Sequence, residues 1–204
     1  MNMAFPGVQA SPNDMLDFLA GLFDRAENLS YGTGTVSMCA HMLQTADLAA
    51  ADDASPKLVA AALLHDLGHF GTDFDFEFTD GSHTAMQAAT DDKRHEDAGA
   101  NMVRPFFGAE VAEPIRLHVP AKRYLCAIDT AYLDGLTETT RHTLGLQGGP
   151  MSADETKSFG ALPFAAEAAR LRRWDDLAMA ADRVTTPFED YRGLLEDLMA
   201  KCNA

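Results

Sequence analysis

Apolar residues recur at helical spacing along most of this chain, and no stretch alternates in the manner of a strand. In "SPNDMLDFLAGLFDRAENL", Leu16, Leu19, Leu22 and Phe23 fall on one face behind a Ser-Pro start, which predicts an amphipathic helix over about 11–29. "GTVSMCAHMLQTADLAAA" reads as a second helix carrying His41. "SPKLVAAALLHDLGH" reads as a third, with Ser55 as N-cap, Pro56 at the first helical position and Gly68 as the stop. After a long acidic and aromatic stretch over 70–94, helical spacing resumes in "HEDAGANMVRPFFG", "AEVAEPIRLHV", "PAKRYLCAID" and "LTETTRHTLGL". "QGGPM" reads as a turn, and Ser152 with Glu155 as a capping box. Two further helices are expected between about Phe164 and Met199. The pattern predicts an all-α chain of roughly eight to ten helices, without internal repeats.

Composition narrows this picture modestly. A chain of 204 residues with 47% apolar and 23% charged positions is expected to form one soluble globular domain over 1–204. The formal charge of -15 argues against nucleic acid as a partner, because phosphate backbones require clustered Lys and Arg. Solubility, or a saline habitat, accounts for that charge, and a small anion held by two or three local cations stays compatible with it. No apolar run has the length of a membrane span, so no membrane partner is expected. The start "MNMAFPGVQASPND" lacks a secretory layout, which makes the cytoplasm the expected location. Cys39, Cys126 and Cys202 are scattered and odd in number, and suggest neither a disulfide framework nor a thiolate metal site.

The chemistry concentrates at "LLHDLGH". His65 and Asp66 close an apolar run, where two strongly solvated groups at a core edge are costly unless paired. Either they form a metal site or they lean into solvent at a helix C-terminus capped by Gly68. His41, His95 and His118 share the setting of a predicted helix or its edge. Imidazole and carboxylate suit zinc, manganese and iron, and the lack of thiolates points away from structural zinc. Adjacent helical residues diverge by about 100°, so His65 and Asp66 cannot both chelate from a helix middle. At a helix end, Asp66 can direct one oxygen to each of two metals.

The order H…HD…H…H…D resembles the HD-domain superfamily, which implies an all-α HD-type helical bundle. The resemblance implies that His41, His65, Asp66 and a late Asp hold one metal, and that His95 and His118 complete a second site with Asp66 bridging. More narrowly, "HVPAKRYL", "LQGGPM" and "RRWD" resemble segments of the mixed-valent diiron oxygenases that cleave 1-hydroxy-2-aminoalkylphosphonates, a group similar in fold and ligands to myo-inositol oxygenase. That resemblance runs from about Tyr31 to Tyr191, the expected metal-binding core, and assigns the last ligand to Asp175. It implies two iron ions, Fe(II)/Fe(III), an organophosphonate substrate and O2. It also implies Asp66 and Tyr31 at the reacting centre, Tyr31 as a lid, and a hydroxyl near Thr140.

The intervening residues suit a phosphonate on their own terms. Lys122 lies one helical turn after His118, and Arg172 three residues before Asp175, where a guanidinium can grip two oxygens. A solvated helix face is the alternative for both. Thr140 and Gln147 can add neutral hydrogen bonds, His69 supports a neighbouring ligand, and His83 and His142 read as surface residues.

Family members acting on a primary amine carry a Glu three residues after the lid tyrosine, where this chain has Gly34. A trimethylammonium has no N–H to donate and favours aromatic or diffusely acidic surroundings, which Phe74, Phe76, Phe78, Asp73, Asp75 and Glu77 supply. The expected reaction is therefore conversion of 1-hydroxy-2-(trimethylamino)ethylphosphonate to glycine betaine and phosphate. The primary-amine substrate, an HD-type phosphohydrolase and a non-catalytic sensor domain are the rivals. The oligomeric state, a homo-oligomer included, stays open.

Overall fold

A computed structural model describes residues 5–7, 9–26, 30–31, 36–70 and 94–202. Within them run α1 (Pro12–Ala26), β1 (Ser30–Tyr31), β2 (Val36–Ser37), α2 (Met38–Ala51), α3 (Pro56–Leu64) and a 3-10 turn (Leu67–Phe70). After the break follow α4 (His95–Phe107), α5 (Ala109–Ile128), α6 (Thr130–Gly135), α7 (Glu138–Leu146), α8 (Ala153–Gly160), α9 (Ala165–Leu177) and α10 (Phe188–Cys202). The all-α expectation holds, with one two-residue antiparallel pair that periodicity cannot detect, Tyr31 opposite Val36.

Helix starts follow the local rules. Ser11 and Asp14 exchange backbone and side-chain hydrogen bonds across the first turn of α1, the Ser11 hydroxyl accepting from Asp14 N at 3.2 Å. Ser37 accepts from Ala40 N at 3.0 Å, and Ser55 from Leu58 N at 3.3 Å with Pro56 opening the helix. Ser152 and Glu155 form the expected reciprocal box at α8. Gly108, at φ 74°, ends α4 and begins α5 in a conformation that side chains resist.

Two expectations are corrected. "AEVAEPIRLHV" and "PAKRYLCAID" are one helix, α5, which continues through Pro114 and Pro120. Each proline removes a backbone donor, but α5 is packed by α3, α4 and α9, and that packing outweighs the lost bonds. Gly68 is not a helix stop. The helical run ends at Leu64, with His65 as C-cap, and Gly68 lies inside the 3-10 turn. Its missing side chain serves a backbone crossing: a Cβ there would lie 1.9 Å from the His95 carbonyl oxygen and 2.6 Å from Gly99 N.

The main core joins α1, α2, α3, α4, α5, α9 and α10, with Leu16, Leu19, Met42, Leu63, Leu64 and Leu195 fully buried. A smaller cluster of Leu117, Ala121, Phe159, Ala165 and Ala168 ties α5, α8 and α9 together. The buried polar residues lie on helices that border these clusters. Among the described residues, no helix is long and apolar enough to cross a membrane.

Candidate metal centre

Five segments bring six candidate metal-ligating side chains together. His41 comes from α2, His65 and Asp66 from the end of α3, His95 from the first position of α4, His118 from α5 and Asp175 from α9. All except His95 are buried, and His95 is nearly so. Asp66 lies between two imidazole pairs. Its Oδ2 is 3.6 Å from His41 Nε2 and 3.5 Å from His65 Nε2, while its Oδ1 is 3.4 Å from His95 Nε2 and 3.9 Å from His118 Nε2. Asp175 Oδ1 joins the first pair, 3.2 Å from His41 Nε2 and 3.7 Å from His65 Nε2.

Each pair is aimed by the backbone. His41 Nδ1 donates to Ala178 O at 3.0 Å, His65 Nδ1 to Ala62 O at 2.9 Å and His118 Nδ1 to Ile115 O at 2.7 Å. A carbonyl only accepts, so the proton resides on Nδ1 and the Nε2 lone pair points inward. Yet His41 and His65 hold their Nε2 atoms 3.2 Å apart, as do His95 and His118. Two inward lone pairs at that separation repel unless a proton or a metal cation lies between them. Asp66 Oδ2 is also buried without a hydrogen-bond partner, a costly state that a cation relieves. The donor set of imidazole and carboxylate suits first-row divalent metals, and the residues therefore fit two ions, one in His41–His65–Asp66 and one in Asp66–His95–His118.

The electrostatics agree. Burial alone would lower the His65 pKa, but Asp66 and then Asp175 outweigh it and hold it up at about 9, so without a metal His65 carries a proton on Nε2 at neutral pH, the positive charge that a bound cation would replace. Burial opposes ionisation of Asp66 and Asp175. For Asp66 the surrounding imidazoles, and for Asp175 chiefly Arg172, hold the carboxyl well below the usual range. His118 is pushed well down by burial and by His95, and stays neutral as a ligand must. Partial burial and the neighbouring His95 push the half-buried His69 down to about 3. Its ring stacks on His95 at 4.1 Å between centroids, and its Nε2 lies 3.8 Å from Asp66 Oδ1. It thus supports the second pair, and the Gly68 crossing sets that stack by bringing the 3-10 turn onto the start of α4.

The expected phosphonate cations have distinct surroundings. Lys122 is buried and donates from Nζ to Thr143 Oγ1 at 3.0 Å. Arg172 is buried too, but its guanidinium is engaged by acids: Nη1 lies 2.8 Å from Asp175 Oδ2, Nε donates to Asp176 Oδ2 at 3.1 Å, and Nη2 to Asp176 Oδ1. In this structure Arg172 holds a candidate metal ligand rather than presenting an open fork. Thr140 does not present its hydroxyl to Lys122; it bonds Thr137 Oγ1 at 2.8 Å in the cap of α7, and its carbonyl accepts from Thr143 Oγ1 at 3.1 Å. The hydroxyl beside Lys122 is that of Thr143, three residues further on. Gln147 caps α7, and its Oε1 is buried without a hydrogen-bond partner. Of Tyr31 only the backbone is described; Gly34, His83 and the aromatic-acidic residues between 71 and 93 lie outside the described residues.

Sequence reasoning also missed Gln44, one turn after His41. Its amide donates to Ala180 O at 2.9 Å and accepts from Ala180 N at 3.0 Å, clamping the segment whose Ala178 carbonyl orients His41. The signal for it is helical spacing from a ligand, which many unrelated residues share.

This helical frame, with His-Asp at a helix end and histidines converging from three further helices, defines an HD-type metal domain. The family model for the HD domain matches residues 38–180, a span that contains every candidate ligand from His41 to Asp175, and the chain belongs to the HD-domain family. It is 34% identical over 188 residues, 92% of each chain, to a 1-hydroxy-2-(trimethylamino)ethylphosphonate dioxygenase (glycine-betaine-forming) from Leisingera caerulea. It is 39% identical over 170 residues, 83% of this chain and 81% of the relative, to a hydroxymethylphosphonate dioxygenase from Gimesia maris. An uncharacterised protein of Acanthamoeba polyphaga mimivirus is 26% identical over 184 residues.

Proposed function

We propose that this protein is a diiron oxygenase that uses O2 to cleave the C–P bond of 1-hydroxy-2-(trimethylamino)ethylphosphonate, releasing glycine betaine and phosphate. The observation that carries the dinuclear reading is Asp66, whose two oxygens face two separate imidazole pairs. Oxygenation rather than phosphate-ester hydrolysis is supported by the two relatives named as phosphonate dioxygenases. Both of their substrate names contain a hydroxyl and a phosphonate on one carbon, and the site is read as built for that headgroup.

When bound, a mixed-valent iron pair supplies O2 activation and a Lewis-acid grip on the hydroxyl and phosphonate oxygens. In this reading His41, His65, Asp66 and Asp175 hold one iron, and His95 and His118 with Asp66 the other. Lys122, already buried, needs no further desolvation to pair with a phosphonate oxygen, and Thr143 keeps its ammonium oriented. The buried Oε1 of Gln147 can accept from the substrate hydroxyl, and His69 keeps the His95 ring in place. Tyr31 serves as the lid, and Gly34, standing where a carboxylate would accept from a primary ammonium, favours the trimethylated amine. Burial of the centre excludes water, which keeps these charge interactions strong.

A second reading is favoured by the 39% identical relative: hydroxymethylphosphonate itself, which has no amine to recognise. Phosphate release from the iron-loaded protein distinguishes the readings. The trimethylamino substrate is expected to give the highest kcat/KM, with phosphate appearing only when O2 is present. Preference for hydroxymethylphosphonate selects the second reading. Phosphate release from an ester without O2 would overturn both in favour of a hydrolase.

We further read the chain as one domain, supported by a core that draws on both α1 and α10. No disulfide joins Cys39, Cys126 or Cys202, which is compatible with the cytoplasmic location we propose.

A further inference from the structure

We propose that Asp176, oriented by Tyr132, is a positioning residue that holds Arg172 so that Asp175 presents a single oxygen to the His41–His65 pair. This rests on the metal-centre reading above and extends it to two residues outside the ligand set.

Arg172 carries its donors in a fixed planar fork and faces two acids, at three and four residues further along α9. Asp176 takes one side of the fork, with Oδ2 on Nε at 3.1 Å and Oδ1 on Nη2. That leaves Nη1 for Asp175 Oδ2 at 2.8 Å, while Asp175 Oδ1 stays 3.2 Å from His41 Nε2. A buried guanidinium with one carboxylate in reach tends to bind both of its oxygens. Were Asp176 absent, Asp175 would be drawn onto the fork and its Oδ1 away from the histidines. Asp176 thus occupies the side of the arginine that would otherwise compete for the ligand.

Tyr132 fixes Asp176 in turn. Its hydroxyl donates to Asp176 Oδ2, the oxygen that also accepts from Arg172 Nε. The tyrosine is itself held. Tyr132 N donates to Asp129 Oδ1 at 3.1 Å, Arg173 reaches Asp129 Oδ2 at 2.8 Å, and the Arg173 guanidinium lies 5.4 Å from the Tyr132 ring centre. The two adjacent arginines of α9 therefore have complementary tasks. Arg173 pins α6, and α6 through Tyr132 and Asp176 aims Arg172.

Titration of the metal-free protein with Fe(II) or Mn(II) under anaerobic conditions tests this, with thermal stability of the metal-free form measured in parallel. Asp176→Asn is expected to weaken the tighter or weaker of the two binding events that Asp175→Ala abolishes by about 10–100-fold. The other event should change little. Tyr132→Phe, which removes one hydroxyl and keeps the ring, is expected to weaken the same event by about threefold to tenfold. Asp176→Glu should restore part of the loss. Arg170→Ala, on α9 with Arg172, breaks an exposed pair with Asp52 at the end of α2 and should leave both events unchanged. Wild-type affinity in both Asp176→Asn and Tyr132→Phe, or a loss of metal-free stability with unchanged metal affinity, overturns the proposal. If Asp176→Asn does not fold, Tyr132→Phe decides alone. A wild-type protein that binds no metal overturns the metal-centre reading, and this proposal with it.

Discussion

His41 and His65 point their Nε2 atoms at each other across 3.2 Å while both Nδ1 atoms donate to backbone carbonyls. Two imidazoles held that way by the fold form half of a coordination shell, stable only around a positive charge. Removing the metal with a chelator is therefore expected to lower the thermal midpoint by on the order of 10 °C, if metal is present at about a thousandfold over its dissociation constant. Scanning calorimetry before and after readdition of Fe(II) checks this; an unchanged midpoint would contradict a structural contribution from the centre.

Asp66 belongs to both halves, and His118 to one. Asp66→Ala should reduce bound iron from two per chain to nearly none, whereas His118→Ala should leave about one. Metal analysis of the purified variants reads this directly. Equal losses in the two variants would argue against a bridging Asp66.

Lys122 is buried, and its Nζ donates to Thr143 Oγ1. Replacing it with Met keeps its aliphatic volume and removes the charge. KM for the phosphonate should rise about 10–100-fold, as expected for loss of a charge-assisted hydrogen bond. Iron content should not change. Thr143→Val is expected to move KM in the same direction by a smaller factor, and steady-state kinetics of the iron-loaded variants measures both.

Gly68 touches the backbone of α4, and a Cβ there would overlap the His95 carbonyl. Gly68→Ala is expected to cost about 1–3 kcal/mol or more and to displace His95, lowering the iron content together with the stability. Denaturant melts combined with iron analysis test the pairing of the two effects. Stability lost with both irons retained would show that the crossing serves the fold alone.

Glu155 supplies a pH dependence away from the metals. Hydrogen bonds from Ser152 and Arg123 hold its carboxyl at about 2, below the ordinary value of 4.5. A depressed carboxyl stabilises the fold above its unfolded pKa and loses that contribution as pH falls through its folded pKa. The stability difference between wild type and Glu155→Gln should therefore be full above about pH 5 and shrink between about pH 4.5 and 2. Parallel acid melts measure it, and a difference independent of pH would indicate lost packing rather than lost charge.

The amino-acid sequence by itself determined the helical class and the caps at Ser55 and Ser152, because these depend on periodicity and short-range hydrogen bonds; the six candidate ligands came from residue order read together with the family resemblance. It did not determine what each cation faces. Arg172 and Lys122 look alike on a helical wheel, yet one is taken up by Asp175 and Asp176 and the other rests on Thr143. Gly68 read as a local stop because its actual neighbour, His95, lies across a long intervening segment. Thr140 and Thr143 are separated by less than one helical turn, and only the approach of α7 to α5 decided which hydroxyl meets Lys122. Local pattern chose the residues capable of the chemistry; the crossing of helices distant in sequence decided which of their atoms meet, since burial, charge pairing and backbone clashes act between elements and leave no periodic trace within any one of them.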